Sequence, residues 1–347
     1  MWADTVFPSL FPFIIGINIL TGTGFAAFAA ALSEGFTRPL FNVPGAGGFA
    51  LMSGFTSGYP LGAKITGDLR GSGQITKEEG ERLLSFTNNS GPLFVLGAVG
   101  VKMYQNVHIG YFILFIHYLS AIINGLLFAN YKKKKFKKVF FDYKNVLRKA
   151  YREMVKYRNA KSFGKIFADS VKNAVETILQ IGGFIVLFCV AVRILNLTGV
   201  FYSLKTLLLP VCPLDENTID GILAGLAEVT NGVKTLSANA TKESILAAAA
   251  LISFGGFSIH AQSINFLYKT DISLRFYLLS KLTHAIITVF LGAAFFPFFN
   301  FDKETAVTVF NYNLGGKLLF STCMWGFGAA AFVLSLLFAV FRRKNKL

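Results

Sequence analysis

Lys64 and Lys234 each close a Gly-x-Lys triplet, Gly62-Ala63-Lys64 and Gly232-Val233-Lys234, in segments crowded with hydroxyl and amide side chains. Beside the first lie Thr56, Ser57, Asn88, Asn89 and Ser90; beside the second lie Glu228, Thr230, Asn231, Ser258, His260 and Gln262. Two ammonium groups among uncharged donors suit the capture of a small anion by charge-assisted hydrogen bonds, one with two carboxylates included. We therefore expect substrate contacts from Ser57, Lys64, Asn88, Asn89, Ser90, Thr230, Asn231, Lys234, Ser258 and Gln262. Glu228 is the candidate for a coupling H+ or Na+. Catalysis finds no support. His108, His117, His260 and His284 form no HExxH pair, Cys189, Cys212 and Cys323 have no ligand spacing, and no nucleophile motif or carboxylate pair is present. We expect no enzyme activity, no metal and no bound cofactor.

Each assignment has a plainer rival. The lysines could snorkel to an interface. Asn88, Asn89 and Ser90 could satisfy backbone groups freed by Pro92, although three polar residues exceed that need. His260 could pack between helices, and Glu228 could sit at a wet mouth.

The elements that must carry these residues belong to a membrane protein. Of 347 residues 53% are apolar and 15% charged, against about 25% charged in a soluble domain. Apolar windows of about 20 residues, enough to cross about 30 Å of hydrocarbon, follow one another. MWADTVFPSLFPF has no basic n-region and no small-residue cleavage site, so the first hydrophobic segment is expected to be retained. The net charge of +16 is concentrated: residues 131–165 hold 14 Lys or Arg and 2 acids. Between two spans, that marks a cytoplasmic loop able to touch anionic lipid, and no nucleic-acid motif accompanies it.

Residues 1–347 are expected to form one all-α polytopic transport domain. Spans are expected at Val6–Ala31, from about Thr76 to Tyr104 with a break at NNSGP (88–92), and at Val107–Asn130. Ala168–Leu195, residues 241–268 with a break at GGFS (255–258), Ile272–Phe298 and Leu314–Phe341 complete seven crossings. Pro44–Thr66 is too short and too rich in Gly and Pro to cross twice, Thr218–Ala240 is short and polar for a span, and both are expected to be re-entrant hairpins. The order of residues repeats. GAK returns as GVK, TKE at 76–78 returns at 241–243, and Ser85-Phe86-x-x-x-Ser90 returns as Ser253-Phe254-x-x-x-Ser258. Residues 44–130 are the first copy and 218–298 the second; residues 314–341 form a last span.

With residues 131–165 inside, Arg38, Arg70, Lys77, Arg82 and the C-terminal RRKNK also fall inside, while PLDENTIDG and NFDKETAV fall outside. The copies then enter from opposite faces. Inverted repeats with broken helices are the architecture of secondary transporters, and the breaks meet near the midplane in a polar cavity. Homo-oligomerisation is left open.

FPSLFPF (7–13), RPLFNVPGAGGF (38–49), SGYPLGAK (57–64), RLLSFTNNSGPLFVLGAVG (82–100) and EVTNGVK (228–234) resemble the YlbJ (SpoVV) family of sporulation integral membrane proteins over nearly the whole chain. That family is similar to the nucleoside-recognition or Gate domains of concentrative nucleoside transporters. The resemblance implies transport of dipicolinate (pyridine-2,6-dicarboxylate) from the mother cell across the outer forespore membrane. Two other functions stay open: uptake of nucleosides or another small metabolite, against which the hairpin lysines speak, and a sporulation scaffold that uses the basic loop as its partner surface.

Overall fold

A computed structural model describes residues 7–133, 148, 151 and 162–301. The span expected at Leu314–Phe341, the C-terminal RRKNK and most of the basic loop lie outside the described residues. Those described are helical throughout, with no strand among them. Four helices among them are long and apolar enough to cross a bilayer: Val107–Phe128, Phe163–Leu197, Lys242–Leu267 and Leu274–Phe298.

A further apolar helix pair is sharply bent. In place of one span over Val6–Ala31, the chain forms α1 (Phe7–Gly22) and α2 (Phe25–Phe41), which meet at 85°. The reason is local: Gly24 caps α2 in the left-handed conformation at φ 80°, which a continuous helix cannot contain.

The first hairpin is α3 (Ala46–Thr56) and α4 (Leu61–Gly71), joined through Gly58 at φ 89° and a cis Tyr59–Pro60 bond. Two of its glycines are needed for close approach. A Cβ on Gly54 or Gly62 would run into the Thr87 carbonyl. The first broken helix follows as α5 (Lys77–Thr87) and α6 (Leu93–Met103). Thr76 opens α5 with a reciprocal capping box to Glu79. The second half winds more loosely, with i→i+5 bonds such as Tyr104 N to Val99 O, a feature associated with functional helices.

Helix α7 (Val107–Phe128) and the 35-residue α8 (Phe163–Leu197) are continuous spans. After α9 (Val200–Leu208), the second hairpin is α10 (Glu216–Ala227) and α11 (Val229–Leu236). The second broken helix is α12 (Lys242–Phe254) and α13 (Gly256–Leu267), interrupted where Gly255 and Gly256 take φ 102° and 61°. Thr241 caps α12 as Thr76 caps α5. Helix α14 (Leu274–Phe295) completes the described bundle.

Packing is crosswise. The first hairpin lies against α5, the first half of its own broken helix, and against α13, the second half of the other. The second hairpin lies against α12 and α13 of its own copy and, through α11, against α6 of the first. Such an exchange is what two broken helices running antiparallel, the inverted relation expected from the repeat, would produce. Helices α7 and α14 pack against each other and against both α5 and α12, so they flank the place where the breaks meet.

Candidate binding site at the crossed breaks

Pro92 starts the site. In an uninterrupted helix the Asn88 carbonyl would accept from the N–H of residue 92, and proline has none. The freed groups of the break find partners from elsewhere. Lys281 Nζ donates to Asn88 O at 2.9 Å, the Tyr59 N–H donates to Asn89 O, and the Tyr118 hydroxyl, whose one proton is shared with the nearer Phe55 carbonyl, lies 3.2 Å from Ser90 O. In the other direction the Ser90 N–H donates to His117 Nε2 at 3.0 Å. So the break's exposed backbone is clamped by α14, by the first hairpin tip and by α7.

Asn88 is fully committed. Its Nδ2 donates to Ser263 Oγ and to Tyr277 Oη, both at 2.9 Å, and its Oδ1 accepts from the Ala63 N–H at 3.3 Å. It fastens the first break to the first hairpin and to the second repeat. Asn89 and Ser90 differ. Asn89 Nδ2 donates to Phe86 O at 2.7 Å, but Asn89 Oδ1 and Ser90 Oγ are buried without a partner.

Three more buried polar atoms lack partners around the same tip and breaks: Ser57 Oγ, Tyr59 Oη and His260 Nε2. They are contiguous with the break. Gly58 abuts Gly91, Tyr59 neighbours Ser90 and Glu228, and the other ring nitrogen of His260 lies 3.3 Å from the Tyr277 hydroxyl. Native interiors leave few such atoms unsatisfied, and a cluster of them calls for an explanation such as a ligand or an ion. Both adjoining helix starts, α6 and α13, also have no side-chain cap. Their first-turn amides carry partial positive charge.

The basic group at this crossing is Lys281. It is 1% exposed, and among the described residues no carboxylate lies within ion-pair distance of it. Its second contact is His284 Nδ1 at 3.2 Å, and His284 Nε2 lies 3.1 Å from the His117 carbonyl. With Lys281 as an ammonium donor, these partners fix the proton positions. His284 must donate from Nε2 and accept at Nδ1. His117, which accepts at Nε2, must donate from Nδ1 to Ser253 Oγ at 2.7 Å. Both rings are thus neutral, and Thr288 and Ser120 continue the chain at 2.8 and 2.7 Å.

The remaining sequence-derived candidates fall into two groups. Near the crossing, Glu228 is 3% exposed and caps α11, with one oxygen accepting from the Asn231 N–H at 2.8 Å and the other from the Thr230 hydroxyl at 3.0 Å. Asn231 Nδ2 reaches Cys189 Sγ at 3.6 Å, and Gln262 Nε2 donates to a buried Ser258 at 3.2 Å.

The two hairpin lysines stand apart. Lys64 pairs with Asp68 at 3.2 Å and lines a cleft of about 450 Å³ between α1, α4 and α8, with Asn18, Lys172 and Asn173. Lys234 is exposed in the last turn of α11. Neither contacts the asparagine cluster. Sequence reasoning passed over Lys281, His284, His117, Tyr59 and Tyr277. A signal for the first was present, because a lysine inside the apolar run RFYLLSKLTHAIITVF is a functional-site candidate by default.

At the rim, the bidentate pair of Arg70 with Asp271, 2.7 and 2.9 Å, ties the first hairpin to the loop before α14. The Arg70 guanidinium holds the Asp271 carboxyl below the usual carboxylate range. No group of three or more His, Cys, Asp or Glu capable of holding a metal occurs among the described residues.

The Gate model, described as nucleoside recognition, matches residues 3–106, which contain the first hairpin and first broken helix. The sporulation integral membrane protein YlbJ of Bacillus subtilis (strain 168) is 38% identical over 300 residues, covering 82% of this chain and 72% of that protein. The chain belongs to the YlbJ family. Among solved structures, a variant of CNTnw in its intermediate 1 state aligns with a TM-score of 0.42 and 14% identity, over 81% of this chain and 75% of that one. The protein is accordingly a multi-pass integral membrane protein of a sporulation family.

Proposed function

We propose that this protein is a secondary transporter for a small organic anion, and that the anion is dipicolinate, moved into the developing spore across the outer forespore membrane. The observation that carries the proposal is the pairing of a buried lysine lacking a carboxylate with a ring of unsatisfied polar atoms at the crossed breaks. An unpaired charge at that depth is costly, and an anion seated there would relieve it. Ser57, Asn89 and Ser90 contact the substrate directly. Asn88, Thr230, Asn231, Ser258 and Gln262 shape the site, and Glu228 carries the coupling ion. Lys64 and Lys234 act at the mouths, drawing anions in by their field.

A nucleoside is the second reading, favoured by one observation. Asn89 Oδ1 and His260 Nε2 are candidate acceptors, and sugar hydroxyls and base N–H groups supply the donors such atoms want. Uptake of labelled dipicolinate into vesicles holding the purified full chain separates the two. Saturable dipicolinate uptake, competed by unlabelled dipicolinate and not by uridine, supports the anion. Uridine uptake indifferent to dipicolinate reverses the order.

A further inference from the structure

Asn88 O is a carbonyl stripped of its helical partner by Pro92, at the centre of a broken helix. In transporters of this architecture, unwound backbone carbonyls are what coordinate a coupling metal cation. Here an ammonium group from the protein's own chain is already at that carbonyl, 2.9 Å away. Its remaining hydrogens face a neutral imidazole, His284, on the same helix. From α7 the facing titratable group is His117, whose tautomer is fixed by the Ser90 amide and Ser253. From the first break the neighbours are Asn88 and, beyond it, Ser90. Helix α12 presents Ser253 to His117 and Thr288 rather than an acid.

We infer that Lys281 is a tethered cation which takes the place of a coupling metal ion at the first break and meets the substrate's carboxylate, so that transport proceeds without sodium and the ion carried at Glu228 is a proton. This rests on the proposed anion reading and sharpens it by naming the residue that recognises charge. The geometry accounts for three facts together: a lysine buried in a membrane helix, its lack of a carboxylate partner, and its bond to the one break carbonyl that proline deprives of a donor. A compact ammonium on a flexible stem suits this role better than a guanidinium, because it can keep one N–H on the carbonyl and turn the others to an arriving carboxylate.

The test uses the purified full chain in liposomes with pyridine-2,6-dicarboxylate as probe. For the wild type, binding and uptake are expected to agree within twofold when all sodium is replaced by choline. Lys281→Ala is expected to weaken dicarboxylate binding by at least tenfold and to be partly restored by millimolar ethylammonium, while Lys281→Arg keeps part of the affinity. Dicarboxylate binding that is intact but absolutely dependent on sodium overturns the inference and leaves the anion reading standing. So does wild-type affinity in Lys281→Ala. A wild type that binds uridine and no dicarboxylate removes the anion reading, and the inference falls with it. The sodium comparison needs no variant, so a misfolded Lys281→Ala does not protect the idea.

Discussion

At the scale of single residues, the crossing separates side chains that hold the fold from side chains left over for a ligand. Asn88 is of the first kind. Asn88→Ala would strand the Ala63 amide and take one donor from each of two hydroxyls that keep their other bonds, and the expected loss of stability is about 1–3 kcal/mol, read as a lower melting temperature in detergent. Ser57 and Ser90 are of the second kind, because their hydroxyls make no hydrogen bond of ordinary geometry in the protein, the Ser90 hydroxyl lying only near that of Tyr59. Ser90→Ala removes at most a weak contact with the Tyr59 hydroxyl, so its melting temperature should stay close to the wild-type value while dipicolinate uptake falls several-fold. A Ser90→Ala variant with full uptake would count against a ligand contact there. The hairpin lysines behave differently again. Lys64→Ala and Lys234→Ala should slow uptake at low ionic strength and much less at 1 M salt, where the screening length is about 3 Å. Asn88, Asn89 and Ser90 were legible in the sequence as polar residues at a break. Which of them stays available was not, because it depends on partners such as Tyr277 and Ser263, about 175 to 189 residues away in the chain.

At the scale of elements, each hairpin needs small residues where its backbone touches a broken helix. Gly62→Ala pushes a methyl group into the Thr87 carbonyl and should lower the melting temperature clearly, by a backbone shift costing about 1–3 kcal/mol. Gly71→Ala, in the same helix with nothing within 4 Å of the added methyl, should be neutral or slightly stabilising. Equal behaviour of the two variants would mean that the hairpin does not press on α5. The pair of Arg70 and Asp271 joins the two repeats at the rim. Because Arg70 lowers the folded-state value of Asp271, its contribution is complete above about pH 4 and is lost as pH falls through the depressed value. The pair is largely exposed, so the contribution is at most about 1 kcal/mol. A melting curve from pH 6 to pH 3 should flatten slightly in Asp271→Asn. The hairpins, both breaks and both threonine caps follow from short-range signals that the sequence displays: Gly and Pro at the breaks, Thr-Lys-Glu at the helix starts. The bend between α1 and α2 was missed because a hydrophobic window reports length and greasiness. It does not report that Gly24 is left-handed.

At the scale of the whole molecule, the two copies are interlocked. Each hairpin leans on its own broken helix and reaches a half of the other copy's, so the breaks are held at one crossing rather than in two separate pockets. The repeat made this legible from three short matches in order. Placement of the positive charge was not legible in the same way, because Lys281 lies on α14, outside the motifs that recur. On the proposed function, Lys281 with Ser57, Asn89 and Ser90 forms the anion site, and the cleft lined by Lys64 between α1, α4 and α8 is an antechamber. A crystal of the full chain soaked with 4-bromopyridine-2,6-dicarboxylate tests this directly through the bromine anomalous signal. The account predicts a peak between the first hairpin tip, the two breaks and Lys281. A peak confined to the α1, α4 and α8 cleft, with none at the crossing, would contradict it.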